Sequence, residues 1–339
     1  MPELPEVEVV RRGLEPRTVG RTITALEVLE PRSLRRQAGG EDRLRAALVG
    51  SRLTAVVRRG KFLWWRLAEP GGSEAGEALM AHLGMSGQLR MSTPGETAEP
   101  SVELSEGPAS DPLRHRRVSL HLDDGARLDF VDQRIFGGLW TSPLLEAEGG
   151  ALAGVGSPDA LLPEDASHIA RDVLDPAADL SGIARALRSR RSAVKTLLLN
   201  QEIVSGIGNI YADEALWAAR IRYDTPGEAL GPRQAPALLR AARDVMERAL
   251  EVGGTSFDAL YVNVDGRSGR FHIDVERVEG SRPLQCRDWQ CRALVGRRRV
   301  ISRSDLARRA LGKQLDGPTC SAAHRHRAWS RTLEGAGHA

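Results

Sequence analysis

The sequence predicts an α+β protein in which a β-sandwich with an N-terminal helix precedes an α-helical domain. Three observations indicate this class. Apolar side chains recur at helical spacing from Leu4 to Leu14, and Gly20 follows as a stop. Six short apolar segments, separated by Gly and Asp, come next. Beyond a glycine-rich stretch at 149–157, the apolar residues form longer runs of helical pattern.

The elements follow in a definite order along the 339 residues. The predicted strands are 22–28, 53–59, 62–67, 78–83, 118–122 and 127–131. The predicted helical runs are 182–200, 208–220 and 233–252. Between the strands, residues 92–112 are acidic and rich in Pro and Ser, which is typical of a surface insertion.

Composition excludes several classes of protein. No apolar stretch approaches the roughly 18 residues of a membrane span, and the N terminus lacks the pattern of a secretory signal. Three late cysteines cannot form a disulfide framework, so we expect a cytoplasmic protein. The net charge of +3 divides into +9 for residues 281–339 and −6 for the rest. Anion sites in the body of the protein must therefore come from local clusters.

Only three of the 48 basic residues are lysines: Lys61, Lys195 and Lys313. Where arginine is the usual cation, a lysine marks a place where a compact, titratable amine is useful. Lys61 lies in VVRRGKFLWWRL, at a turn between two apolar segments. It is either a solvated hairpin tip or a functional amine.

The first eight residues, MPELPEVE, combine an N-terminal proline with carboxylates. Removal of Met1 would leave Pro2 with a free secondary amine, which is a nucleophile, beside the acids Glu3 and Glu6. The same residues also suit an ordinary helix start. A small-molecule enzyme that uses Pro2 as a general base is a further alternative.

Two turns, HLGMSG at 82–87 and DFVDQRIFGG at 129–138, are predicted to expose Met85, Arg134 and Phe136. Apolar and cationic side chains on neighbouring turns can enter a base stack and fill the gap left by an extruded nucleotide. Ordinary loop packing is the other interpretation.

A basic cluster precedes the helical run at 208–220. It consists of Arg188, Arg190, Arg191 and Lys195. Gly206 to Asn209 then open the helix, whose N–H groups and dipole are suited to a phosphate.

These motifs together resemble one family. MPELPEVEVVRRGL, GK at 60–61, HLGMSG, DQRIFGG and SGIGNIYADEALW are similar to the formamidopyrimidine-DNA glycosylases, bacterial repair enzymes for oxidised purines. The resemblance extends from residue 1 to about 271, and PELPEVE favours this family over the related endonuclease VIII. It implies a catalytic β-sandwich at 1–148 and a helix-two-turns-helix DNA-binding domain at 158–265. It also implies a monomer, associated with the bacterial nucleoid, that acts on damaged double-stranded DNA and not on a membrane.

The resemblance also implies roles for individual residues. Pro2 would be the nucleophile that forms an iminium with the sugar, Glu3 the proton donor, Glu6 a supporting carboxylate and Lys61 the group that assists β-elimination. The implied DNA contacts are Met85, His115, Arg134, Phe136, Arg191, Lys195 and Asn209. Residues 253–266 would lead into the loop over the extruded base. This chemistry needs no cofactor.

The similarity fades after GRSGRFH, which ends at residue 272. Residues 266–339 are interpreted as an atypical basic tail where the family has a zinc finger of two Cys-x-x-Cys pairs. This degenerate zinc-finger region has a Cys-x4-Cys pair, and its patterning is what a shift of reading frame near residue 273 would produce. A makeshift zinc site would use Cys286, Cys291, Cys320 and either His324 or His326. We expect no zinc bound in the family manner.

The leading hypothesis is thus a bifunctional DNA glycosylase and abasic-site lyase that removes 8-oxoguanine and formamidopyrimidines. The alternative is a damaged-DNA-binding protein whose catalysis is impaired by the lost finger. The sequence leaves open which lesion is preferred and whether δ-elimination is retained.

Overall fold

The computed structural model describes residues 2–93, 114–255 and 262–271. Within these ranges, helix α1 spans Leu4–Thr18 and helix α2 spans Gly40–Leu48, between the first two strands. The strands are β1 Ile23–Val28, β2 Arg52–Arg59, β3 Phe62–Ala68, β4 Glu74–His82, β5 Gly87–Ser92, β6 Arg116–Leu122, β7 Arg127–Asp132, β8 Gly138–Glu146 and β9 Leu161–Pro163. Four further helices follow: α3 Leu180–Arg188, α4 Val194–Leu199, α5 Asn209–Ala219 and α6 Gln234–Glu251.

Helix α1 begins with a reciprocal cap. The backbone N–H of Glu3 donates to Oε2 of Glu6 at 2.9 Å, and the side chain of Glu3 caps the third residue of the helix in return. The helix ends at Thr18, after which Gly20 adopts a φ of 88°. The sequence prediction of a helix that stops at Gly20 is therefore confirmed.

The strands form two antiparallel sheets. One has the order β1-β6-β7-β5 and the other the order β2-β3-β4-β8-β9. Apolar side chains of both sheets meet in one core, which also takes Val7, Val10 and Leu14 of α1. The predicted β-sandwich with an N-terminal helix is confirmed. Strand β3 is buried on both faces, since Trp65 belongs to this core and Trp64 to a second cluster behind the sheet.

All six predicted strands are present, but β5, β8 and β9 were missed. Strand β5 begins directly after the HLGMSG turn, and the alternation of its buried Leu89 and Met91 covers too few residues to stand out. Residues 94–113, which include most of the predicted insertion, lie outside the described residues, as do residues 272–339.

The helical domain has its own apolar core, built from α3 to α6. The prediction of one continuous helical run over 182–200 was wrong, because this segment is divided into α3 and α4. Ala193 is extended and forms a bridge with Pro226, while Gly227 N donates to Ser192 O at 3.0 Å. This pairing with a distant segment interrupts the helix. No helix of the described residues is long and apolar enough to cross a membrane.

Candidate active site

The N terminus lies in a small crevice that is lined by segments of both domains. Pro2 is buried, and Leu4 N donates to Gly206 O at 3.1 Å, which fixes the start of α1 against the loop before α5. The crevice is lined by Pro2, Glu6, Val9, Val10, Leu83, Gly87, Gly253 and Val262. The structure thus places Pro2 and Glu6 on the same cavity.

The carboxylate of Glu3 sits at the N terminus of α5, and the residue is only 2% exposed. It accepts hydrogen bonds from the backbone N–H groups of Gly208 at 2.7 Å, Ile210 at 2.9 Å and Tyr211 at 3.2 Å. Burial raises the pKa of Glu3 to about 7, although Lys61 and the backbone donors oppose the rise. The carboxyl group can therefore hold a proton near neutral pH.

These hydrogen bonds change one expectation. The sequence predicted that the N–H groups at this helix start would face a phosphate, but those of Gly208, Ile210 and Tyr211 donate to Glu3 instead. The helix start thus holds the catalytic candidate. Asn209, the first residue of α5, is exposed beside it.

Lys61 lies at the tip of the β2–β3 hairpin, and it is buried rather than solvated. Its side chain is 9% exposed, and Nζ donates to Ile207 O at 3.0 Å. Burial lowers the pKa of Lys61, while Glu3 and Glu6 act in the opposite direction. The preceding residue, Gly60, has a φ of 57° and lies so close to Ser205 that an added Cβ would meet its side chain at 2.7 Å.

A buried cluster supports this hairpin, and sequence reasoning missed it. The guanidinium of Arg58 donates to Glu8 Oε2 at 2.8 Å, to Asp172 Oδ2 at 2.7 Å and to Gly60 O at 3.1 Å. It joins α1, β2 and the segment before α3. The available signal was an arginine inside an apolar strand, since such a residue needs buried partners.

Glu6 connects the crevice to the helical domain. Its Oε1 accepts hydrogen bonds from the hydroxyl of Tyr211 at 2.9 Å and from Thr255 N at 3.1 Å. Burial and the nearby Glu6 carboxylate raise the pKa of Tyr211, which keeps this hydroxyl a donor. Tyr211 is a second residue that the sequence reasoning did not single out, because 205 residues separate it from Glu6.

The predicted wedge residues come together on two adjacent turns. Met85 and Phe136 are 39% and 53% exposed, and Arg134 Nη1 lies 3.9 Å from the sulfur of Met85. The backbones touch, because a Cβ on Gly84 would lie 2.5 Å from the backbone nitrogen of Gly137. An exposed apolar pair flanking a cation is thus present at the edge of the sandwich.

The remaining predicted DNA contacts lie on both domains. His115 is half-buried just before β6, and its carbonyl accepts from Asp132 N at 3.0 Å, close to the turn of Arg134. Arg191 is exposed and lies 3.6 Å from Glu228. Lys195 Nζ, near the start of α4, lies 2.8 Å from Oδ1 of Asp213 in α5.

No group of three or more His, Cys, Asp or Glu side chains suited to a metal occurs in the described ranges. The candidate ligands Cys286, Cys291, Cys320, His324 and His326 lie outside these ranges. Their spacing does not fit two short chelating pairs, so we assign no chemical step to zinc.

Two family models match the chain. Residues 1–139 match the formamidopyrimidine-DNA glycosylase N-terminal domain, and residues 169–260 match the formamidopyrimidine-DNA glycosylase H2TH domain. The chain is 48% identical over 277 residues to the formamidopyrimidine-DNA glycosylase of Corynebacterium glutamicum, covering 81% of this chain and 87% of that protein. It is 46% identical to that of Kineococcus radiotolerans, covering 91% and 96%.

Solved structures agree with these matches. The MutM (Fpg) protein of Thermus thermophilus has a TM-score of 0.58 and 32% identity, covering 79% of this chain and 84% of that one. A MutM complex with DNA containing carbocyclic 8-oxo-G has a TM-score of 0.57 and 26% identity, covering 79% and 84%. A Lactococcus lactis Fpg complex with DNA containing an abasic site has a TM-score of 0.58 and 26% identity, with the same coverage. With its β-sandwich, its helical domain and its N-terminal proline and glutamate, this chain belongs to the formamidopyrimidine-DNA glycosylase family.

Proposed function

We propose that the chain is a base excision repair enzyme that removes oxidised purines from duplex DNA and then cleaves the abasic site. The observation that carries this proposal is the position of Glu3, a buried acid held at a helix start one residue after Pro2. The related structures that contain 8-oxo-G or abasic-site DNA support the substrate class. We expect the enzyme to act on the bacterial chromosome.

In the proposed first step, the amine of Pro2 attacks C1′ of the damaged nucleotide. The N–C1′ bond forms as the C1′–O4′ bond breaks, and Glu3 gives its proton to O4′. The bond from C1′ to the base then breaks and the amine proton leaves with the base, which gives an iminium between Pro2 and the opened sugar. The raised pKa of Glu3, about 7, supports this role, because the carboxyl group must carry a proton beforehand.

In the proposed second step, the iminium acidifies the C2′ proton. A base removes this proton and the 3′ phosphate leaves, which breaks the strand by β-elimination. Lys61 is suited to assist, because burial lowers the pKa of its amine and increases the neutral fraction. Glu6 would support the site by fixing the N–H of Glu3 and the hydroxyl of Tyr211.

We further propose that Met85, Arg134 and Phe136 enter the duplex and fill the space of the extruded nucleotide. Their exposure and mutual contact support this role. His115, Arg191, Lys195 and Asn209 would contact the DNA backbone, which positions the duplex without reading its sequence.

Borohydride trapping tests the proposed nucleophile. With duplex DNA that contains 8-oxoguanine opposite cytosine, reduction of the iminium should yield a covalent protein–DNA adduct. An alanine inserted between Met1 and Pro2 turns the Pro2 nitrogen into an amide, so this variant should lose the adduct, and Pro2→Gly should reduce it strongly. Undiminished trapping in both variants would show that Pro2 is not the nucleophile.

The same assay separates the alternative of a damaged-DNA-binding protein with impaired catalysis, which would bind abasic DNA but leave it uncut. The buried Glu3 and Lys61 at one helix start do not favour that alternative. We also propose that the tail binds no zinc in the family manner and that the chemistry needs none. One zinc per chain after dialysis against a mild chelator, lost with activity in Cys286→Ser, would contradict this.

A further inference from the structure

The turn that carries Arg134 and Phe136 has a strained backbone. Ile135, between them, has a φ of 56°, in the left-handed region that β-branched residues rarely adopt. An unsupported turn with this residue would relax to other conformations. Interactions from outside the turn must therefore hold it in place.

One side of the turn is held through its N–H groups. The buried carboxylate of Asp132 accepts from Arg134 N at 3.1 Å through Oδ1 and from Gly137 N at 2.8 Å through Oδ2. The hydroxyl of Ser86, on the neighbouring turn, donates to the same Oδ1 at 2.5 Å. Asp132 thus binds the turn to its own strand and to the Met85 turn.

The other side of the turn is held through its carbonyl groups by a single side chain. Arg35 Nη1 donates to Ile135 O at 2.8 Å and to Gly137 O at 3.0 Å, and its Nη2 donates to Phe136 O. Arg35 lies about 100 residues away, directly after the short helix Pro31–Leu34. Only a planar guanidinium presents several donors in a fixed arrangement to three successive carbonyls, whereas an ammonium acts as a single point.

We propose that Arg35 is a positioning residue, which holds the Arg134–Gly137 turn in its strained form so that Arg134 and Phe136 are already oriented to enter the duplex at a lesion. The role rests on the proposed function of the wedge residues. It acts by preorganisation, since an ordered turn loses less conformational freedom when it binds. Arg35 itself makes its contacts with the protein backbone, not with the reacting atoms.

Arg35→Lys tests this role, because lysine keeps the charge but not the fork of donors. Arg36→Lys is the matched control, since Arg36 lies next in the chain and its guanidinium stacks over Trp140 at 4.8 Å instead. In the free full-length protein, amide hydrogen exchange of a peptide covering 133–139 should become roughly tenfold faster in Arg35→Lys, as the loss of one or two hydrogen bonds implies. Arg36→Lys should exchange like the wild type.

The second measurement uses a duplex containing a tetrahydrofuran abasic-site analogue and the same duplex undamaged. The ratio of affinities for the abasic-analogue duplex over the undamaged duplex should fall about tenfold in Arg35→Lys. It should fall little further when Phe136→Ala is added. Wild-type exchange and preference in Arg35→Lys would overturn the proposal. The proposal would also be overturned if Arg35→Lys kept wild-type exchange but showed a salt dependence of binding lower by about one contact, because Arg35 would then be a phosphate ligand. A wild-type protein without preference for the abasic-analogue duplex would refute the proposed function. Faster exchange of residues 133–139 in Arg35→Lys would even then support the role of Arg35 in holding the turn.

Discussion

At the scale of a single residue, the chemistry depends on competing effects at Glu3. Burial disfavours its charged form, whereas the three backbone donors at the start of α5 and the ammonium of Lys61 favour it. Burial prevails, and the pKa rises from 4.5 to about 7. Glu3 is thus largely protonated below about pH 7 and held in one geometry, as the proposed role of proton donor requires.

This pKa sets the expected pH dependence of base release. The protonated form of Glu3 is present below about pH 7 and is lost as the pH rises through that value, so the single-turnover rate of 8-oxoguanine release should fall above pH 7. Glu3→Gln cannot donate the proton and should abolish base release, but it should retain part of the cleavage of preformed abasic sites. Equal loss of both activities would contradict the assigned division between Glu3 and Lys61.

At the scale of elements, the site is made where a helix and a hairpin converge on the loop before α5. Leu4 N bonds to Gly206 O, and the Gly60 tip of the β2–β3 hairpin lies against Ser205. The Arg58 cluster holds both the helix and the hairpin in place, because one buried guanidinium is paired with Glu8 of α1 and with Asp172 beside the loop. Removing one partner of such a cluster typically costs about 3–5 kcal/mol.

The close approach of this hairpin predicts the effect of a single methyl group. Gly60→Ala places a Cβ 2.7 Å from the side chain of the buried Ser205 and also strains the backbone at a φ of 57°. Gly40→Ala is the matched control, since Gly40 has a φ of 66° but no atom within 4 Å of the added Cβ. Both variants should show the cost of strain, about 1–2 kcal/mol in the free energy of unfolding.

Only Gly60→Ala should lose more stability than the cost of backbone strain alone. Only this variant should also lose abasic-site cleavage, because the hairpin tip must move away from Ser205 and displaces Lys61. Denaturant unfolding and a cleavage assay at one pH make the comparison. Equal stability of the two variants with full cleavage in Gly60→Ala would mean that the hairpin tip does not need this contact.

Local patterns could be predicted from the sequence, while contacts between distant segments could not. Helix α1 and strands β1 to β4 follow from periodicity and glycine stops, which are local. The break between α3 and α4 depends on the bridge of Ala193 with Pro226, and no signal within 182–200 encodes it. Likewise, the sequence placed Glu3 at a helix start, but its hydrogen bond to Gly208 spans 205 residues. Pro2, Glu3 and Lys61 were singled out from their residue types and assigned roles from the resemblance, but neither the local pattern nor the resemblance predicted that they are buried.

At the scale of the described molecule, helix α1 belongs to two cores. Leu4 packs in the apolar core of the helical domain, whereas Val7, Val10 and Leu14 pack in the core of the sandwich. The N terminus that carries Pro2 is therefore held at the junction of both domains, and the proposed DNA contacts lie on both domains. This arrangement implies that DNA binding depends on charges from both domains.

Salt dependence tests this view of the interface. If Arg191 and Lys195 each neutralise a phosphate and the inserted cation of Arg134 displaces one further counterion, the logarithm of the affinity for an abasic-analogue duplex should fall by roughly 0.9 per cation with the logarithm of salt concentration, or about three in total. Lys195→Ala should lessen this slope by about one and weaken binding to all duplexes alike, because a phosphate contact carries no sequence information. Arg43→Ala is the control: Arg43 pairs with Glu77 and is not a proposed contact, so the slope should not change. Fluorescence anisotropy over a series of salt concentrations measures all three proteins. An unchanged slope in Lys195→Ala would remove Lys195 from the interface, and a slope near zero in the wild type would favour a small-molecule substrate instead.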